Sequence, residues 1–352
     1  MAGTLKSLSS WVRGKDVSTN DAQAAALFPK VDPAVDGEAC LHDCDSCTIR
    51  YPRKFEIDEE DDLYGQVQAW STHMLVATGK TDWVRDVADE EGSVMQAAAK
   101  ADVPSNGTLK LSASNMPTPH DTSDYSEPTT ILLLPAFTYV DNVLPRNVPT
   151  LIDSIISHAP TTESPLDTPF TPQAVEGMIP RDCPHGAVIL MCSHRTRDAR
   201  CGQSAPLLKK ELERHLRPLG LQRDMHDERP GGVGIYFINH VGGHKYSANV
   251  MIYRRRNAFG QDSAPKGASS HGDGNGNGQA EEHVDGGAAQ GIWLARVRPE
   301  DCENLIRYTV LQGKVVKPEK QLRAGFDRDG RDGTFGDEYL EPTEEPLVDW
   351  LM

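Results

Sequence analysis

The stretch "VGIYFINHVGGHKYSANVMIYR", residues 233–254, holds two apolar runs joined by a turn. "VGIYFIN" is short, β-branched and aromatic, and glycines precede it, which predicts a buried strand. "YSANVMIYR" predicts another, with Ala248, Val250 and Ile252 alternating inward. Between them lies "HVGGH", His240 to His244. Two glycines between two strand patterns argue against a helix. They also let the backbone turn tightly enough for both imidazoles to aim at one object.

The neighbouring segments extend this pattern. "GAVILMC", ending at Cys192, predicts a buried strand, and "SAPLLKKELERHLRPLG" predicts a helix. Ser204 is its expected cap, Pro206 fits its first turn and Gly220 stops it. Leu208, Leu212 and Leu216 form one buried stripe. Cys201 then falls in the loop before the helix. "GIWLARV" predicts a last strand, leading into a helix "PEDCENLIRYTVLQG" with Cys302, Leu305, Ile306 and Thr309 on one face. Residues 260–291 hold nine glycines and no apolar periodicity. Such a segment buries too little surface to offset its ordering entropy and is expected to be a disordered insert. Without it the unit over 181–314 is β-α-β-β-α.

Upstream, residues 37–160 carry "HMLVATGKTDW" and "TTILLLPAF", two short apolar runs expected to be buried strands of a smaller or related α/β domain. Twelve of the 24 prolines lie between Pro104 and Pro180, so long loops and a linker at 161–180 are expected. Residues 1–36 and 315–352 read as loose tails, and no fixed-period repeat is visible. The expected fold class is α/β.

At 352 residues and a net charge of −16, the chain is acidic and has room for about two domains. Acidity disfavours nucleic acid and anionic membranes as partners, and a basic protein surface is compatible with it. The longest apolar runs are too short for a membrane span, and the first residues lack the apolar core of a secretory signal. Cytoplasm is therefore the expected compartment. Lys6, Arg13 and Lys15, with no acid before Asp16, leave a mitochondrial presequence as the alternative. The seven clustered cysteines read as thiols or metal ligands rather than disulfides.

The candidate site is Cys192, Cys201, His240 and His244, brought from two loops to one end of a small sheet. Thiolates and imidazoles suit zinc or an iron–sulfur cluster. Structural zinc sites usually space their cysteines as C-x2–4-C, whereas eight residues separate Cys192 from Cys201. That wider loop suits a larger object than one ion. Cys40, Cys44 and Cys47 in "CLHDCDSC" form a separate candidate metal or redox site, with His42 as a possible fourth zinc ligand. Cys192-x-His194 resembles the start of a Rieske box whose remainder is missing, and Cys183-Pro-His185 lies apart. "ATGKT" lacks the first glycine of a phosphate loop, so nucleotide binding is rejected and Lys80 and Asp82 are expected to cap a strand. "VDWLM" carries an acidic-aromatic pair of the kind read by iron–sulfur assembly machinery, but two residues follow Trp350.

The C-x8-C pattern followed by a pair spaced by three is similar to thioredoxin-like [2Fe–2S] ferredoxins, with histidines where those have a second cysteine pair. That substitution resembles the fungal sucrase/ferredoxin-like family. "LVATGKTDW" and "CSHRTRDARCG…NHVGGHKY" carry the resemblance, which runs from about Cys40 to Leu311. It implies a [2Fe–2S] cluster held by Cys192, Cys201, His240 and His244 in a thioredoxin-like ferredoxin domain. It also implies one-electron transfer or redox sensing rather than an enzyme with its own substrate. The implied partners are a redox protein and the assembly machinery. Two neutral imidazoles in place of two thiolates leave the oxidised site about two charges less negative, which raises its potential in the direction of Rieske centres. Arg195, Arg197 and Arg200 lie between the two cysteines, to stabilise the reduced site, to meet an acidic partner, or as a solvated loop. Two other readings stay open: a zinc-stabilised binding module with the same ligands, and a thiol oxidoreductase centred on Cys44 and Cys47.

Overall fold

In a computed structural model, which describes residues 24, 26–262 and 286–328, the apolar runs assemble into one mixed sheet of ten strands. The strands are β1 (Thr72–Ala77), β2 (Leu109–Ser114), β3 (Thr129–Leu134), β4 (Thr138–Val143), β5 (Ile179–Asp182), β6 (Ala187–Cys192), β7 (Val233–Ile238), β8 (Val250–Arg255), β9 (Ala288–Leu294) and β10 (Leu322–Asp327). Their order is β10-β9-β8-β6-β7-β2-β1-β3-β4-β5. The longer helices are α1 (Val94–Lys100), α2 (Val148–Ser154) and α3 (Ala199–Leu216).

The order contains one topology twice. β1 runs parallel to β2 and antiparallel to β3, followed outward by β4 and β5. β6 likewise runs parallel to β7 and antiparallel to β8, followed by β9 and β10. Within each parallel pair the register matches residue for residue, from Thr72↔Leu109 to Ala77↔Ser114 and from Ala187↔Val233 to Cys192↔Ile238. Ala77 therefore occupies in the first half the position that Cys192 occupies in the second. The halves share sidedness and connectivity but not residue identity, so the sequence shows no repeat.

Each half covers one face of its strands with its own helices. Leu208, Leu212 and Leu216 of α3 pack on Ile189, Ile235 and Ile252, while Val94, Met95, Leu151 and Ile152 pack on Met74, Val76 and Ile131. A third cluster joins the halves, with Leu75, Leu132 and Leu134 packing alongside Val188, Leu190, Met251 and Trp293. Burial on both faces explains why strands such as β6 and β8 read as continuous apolar runs rather than clean alternations.

β2 and β7 meet through one ladder pair, Ser114↔Ile238, the last residue of each strand. The loops beyond both parallel pairs therefore converge at this junction. The carboxyl ends of strands are where open α/β sheets place ligands.

Several boundaries differ from the sequence reading. The helix after β6 starts at Ala199 with Asp198 as its cap, whose side chain accepts from the Arg200 amide at 2.8 Å. Ser204 and Pro206 lie inside that helix, and Cys201 is in its first turn rather than in the preceding loop. Part of the stretch read as a C-terminal tail forms β10, paired with β9. Part of the N-terminal one is anchored as well, since Phe28 is buried against the α3 core and Lys30 bridges Val315. β9 begins at Ala288, inside the stretch assigned to the insert. Residues 263–285, the first 23 residues and Trp350 lie outside the described residues.

Candidate metal centre

Cys192, Cys201 and His240 come together at the junction of the two halves. Their ligand atoms all lie within 4.8 Å of one another, and Cys192 Sγ is 3.9 Å from His240 Nδ1. Both thiols are buried and His240 is partly exposed. Cys192 closes β6, Cys201 sits in the first turn of α3, and His240 lies two residues past β7. His244 stands beside this trio, its ring centroid 5.3 Å from that of His240. Its side chain is 47% exposed, and its Nε2 lies 3.9 Å from Asp198 Oδ2. Gly243 makes the turn possible. Its φ of +63° suits glycine, and a Cβ there would come 2.6 Å from the Arg323 guanidinium.

The two thiols share their protons unequally. The Cys192 hydrogen bond, with help from His240 and the Ser247 hydroxyl, outweighs burial and brings Cys201 down to about 5. The bond to Cys201, with burial, pushes Cys192 well above the ordinary thiol range. A bound metal would displace the protons of both thiols. Burial lowers the His244 pKa, which favours the neutral imidazole that a metal needs. Two thiols with one imidazole at hand and a second adjacent form a donor set that fits zinc or an iron–sulfur cluster.

A buried relay from the first half holds this loop in place. His194 accepts the His240 backbone N–H at Nδ1, 3.2 Å away, and its Nε2 lies 3.0 Å from the Trp83 carbonyl. That pairing assigns the Nε2–H tautomer. Trp83 donates its indole N–H to Thr78 Oγ1 at 3.0 Å. Asp82 accepts from both the backbone and the hydroxyl of Thr196, at 2.9 and 2.8 Å, and Ser193 Oγ donates to the Thr81 carbonyl at 2.7 Å. "ATGKTDW" is therefore a brace for the loop between Cys192 and Cys201. Asp82 does not cap a strand, and Lys80 instead bonds the Tyr125 hydroxyl. With both ring nitrogens engaged, His194 positions the site rather than ligating it.

The remaining sequence candidates are dispersed. Cys40 packs with Val31 and Tyr308, while Cys44 and Cys47 are buried beside the C-terminal end of α3 and His42 is exposed. His185 is buried with its Nε2 2.9 Å from the Tyr236 hydroxyl. Arg200 is paired with Asp198 at 2.8 Å, Arg197 reaches the Arg85 carbonyl, and Arg195 is exposed. Asp82, Trp83 and Asp198 are given no role at the site by the sequence, and His194 only that of a possible ligand in an incomplete Rieske box. Their only signal was that "LVATGKTDW" and "CSHRTRDARCG" stood out together.

Two buried cysteines and a histidine where two α/β halves meet form a candidate metal site. The description sucrase/ferredoxin-like matches residues 63–324, and the chain belongs to that family. It is 33% identical over 250 residues to actin patches distal protein 1 of Saccharomyces cerevisiae, covering 64% of this chain and 75% of that one. It is also similar to altered inheritance of mitochondria protein 32. The identity is 29% over 133 residues for Clavispora lusitaniae and 31% over 130 residues for Debaryomyces hansenii. Those two matches cover 38% and 37% of this chain and a third, 33%, of each relative's length. No solved structure matches the chain. No helix among the described residues is long and apolar enough to cross a membrane.

Proposed function

We propose that Cys192, Cys201, His240 and His244 hold a [2Fe–2S] cluster in a thioredoxin-like ferredoxin unit, and that the protein transfers single electrons or senses redox state. The observation that carries this reading is the meeting of Cys192, Cys201 and His240 within 4.8 Å, with a second imidazole beside them. A bound cluster supplies one-electron chemistry, and the protein supplies its ligands and surroundings. Cys192 and Cys201 are buried, whereas the half-exposed His244 gives the site its open side. A redox partner is expected to dock there. Arg195 is the loop arginine left facing solvent, so an acidic contact on that partner suits it. The compartments in keeping with this role are the cytosol and the mitochondrion.

The test is optical and paramagnetic-resonance spectroscopy of anaerobically purified protein, beside iron, sulfide and zinc analysis, for wild type and for His240→Cys and His244→Cys. Charge-transfer bands, equal iron and sulfide, and a reduced-state signal that each variant changes are the expected results. A zinc-stabilised module is the second reading, because three ligand atoms rather than four already lie within reach of one ion. Zinc alone, with no such bands after reconstitution, would establish it instead.

A further inference from the structure

Cys44 and Cys47 bond within their own loop, to Ser46 Oγ at 3.3 Å and to the Ile49 carbonyl at 3.4 Å, and they also reach beyond it. The chain bends back so that the C-x2-C pair meets the last turns of α3, where Glu211 and His215 stand four residues apart on one helix face. The ligand atoms of Cys44, Glu211 and His215 all lie within 4.8 Å of one another. Cys44 Sγ is 3.9 Å from His215 Nε2, and Glu211 Oε1 is 3.4 Å from the same nitrogen. Cys47 is buried and adjoins Glu211, and its thiol is pushed up by burial and by that carboxylate.

A second observation points to a missing ligand. The Glu211 side chain is 1% exposed, yet its Oε2 meets no hydrogen-bond donor among the described residues other than the adjoining Cys47 thiol, a weak one. A buried carboxylate oxygen left in this state is costly, and a cation is the usual remedy. Arg214 supplies part of one. Its Nη2 sits 2.5 Å from Glu211 Oε1, 3.0 Å from His215 Nε2 and 3.5 Å from Cys44 Sγ, the place where a cation would satisfy all three. The Arg214 side chain is 42% exposed and can swing outward.

We infer that Cys44, Cys47, Glu211 and His215 form a structural zinc site, separate from the centre at Cys192. Two thiolates, one imidazole and one carboxylate suit tetrahedral zinc, and the C-x2-C spacing is that of structural sites. The ion pins residues 44–47 to the end of α3 opposite to the one that bears Cys201. The two sites lie about 15 Å apart along that helix.

The test uses the full chain. Zinc content after desalting is measured for wild type, Cys44→Ser, His215→Ala, His240→Ala and Arg214→Gln, and the visible spectrum is recorded after loading with Co2+ alone. The expected results are one zinc retained by wild type and by His240→Ala, and tetrahedral thiolate–cobalt bands. Cys44→Ser and His215→Ala should lose affinity by about tenfold or more in chelator competition while iron content stays constant. Arg214→Gln should hold zinc at least as tightly as wild type. If wild type retains no zinc and gives no thiolate–cobalt bands, the site does not exist, whether or not the variants fold. If the zinc is lost from His240→Ala but kept by Cys44→Ser, the ion belongs to the other centre. Zinc taken up by Arg214→Gln but not by wild type would make the arginine the native cation and also overturn the inference.

Discussion

Asn115 and Asn239 each complete the other's strand. Asn239 Oδ1 accepts the Ala113 N–H at 2.9 Å, and Asn115 Oδ1 accepts the Phe237 N–H at 2.7 Å. Their own amides reciprocate, with Asn239 N–H donating to the Ala113 carbonyl and Asn115 N–H to the Phe237 carbonyl, both at 3.1 Å. Two side chains thus extend the Ser114↔Ile238 junction with a symmetric clasp one residue from His240. Removing either side chain leaves a backbone donor without its partner. Asn239→Ala is expected to cost about 1–3 kcal/mol, and Asn115→Ala a similar amount. Urea unfolding of the two variants measures it. Losses below about 0.5 kcal/mol would show that water replaces the clasp.

His194 should separate positioning from ligation. His194→Phe keeps the volume and removes the acceptor for the His240 amide. It is expected to retain metal of the same spectroscopic type as wild type, but to release iron to a chelator several-fold faster. His240→Ala should lose the wild-type signal altogether. A reduced-state signal in His194→Phe that matches that of His240→Ala would mean that His194 is itself a ligand.

Asp82 acts from the other half of the chain. Asp82→Asn retains one acceptor oxygen for the two Thr196 donors, whereas Asp82→Ala retains none. Metal release should accelerate in the order wild type, Asn, Ala, with the largest step at Ala. Stopped-flow chelator assays read it directly. Equal rates for all three would show that Thr196 needs no brace.

Stability should fall in mild acid. Burial lowers His185 to about 4, against about 6.5 for an unfolded histidine. Between those values the unfolded chain binds more protons than the folded one, so stability rises with pH. The His185 contribution is therefore fully present above about pH 6.5 and is lost as pH falls toward 4, up to roughly 3 kcal/mol in total. His73, buried beneath Tyr253 and Ser112, is shifted the same way by burial. His185→Gln should flatten the difference in urea midpoint between pH 7 and pH 5. An unchanged slope would remove His185 as a cause.

Much of the fold was legible because buried strands announce themselves. β1, β3, β6, β7 and β8 each fall on an apolar run picked out in the sequence, and Gly220, at φ +68°, closes the helical segment where expected. The trio of Cys192, Cys201 and His240 was legible from spacing, since strand ends and a glycine turn deliver their side chains to a shared edge. The missed features depend on distant contacts. Asp198 took the cap six residues before Ser204, a choice decided by where β6 delivers the chain. β10 reads "LRAGFD", with too little apolar content to suggest a strand, and it pairs because β9 offers an open edge. Nothing local shows that Trp83 lies under His194, or that Glu211 faces Cys44, 167 residues upstream.

At matching strand ends one half carries Ala77 where the other carries Cys192, and this has a consequence for how such a centre can be built. In a dimer of identical subunits every loop carries the same residues, so a ligand and the scaffold that steadies it are present on both sides. Fusing the two copies into one polypeptide removes that obligation. One copy is free to surrender its thiol and evolve a hydrophobic and hydrogen-bonding buttress, and the other can specialise in ligation. The asymmetry is a division of labour closed to identical subunits, and it lets residues far from any candidate ligand steady the centre.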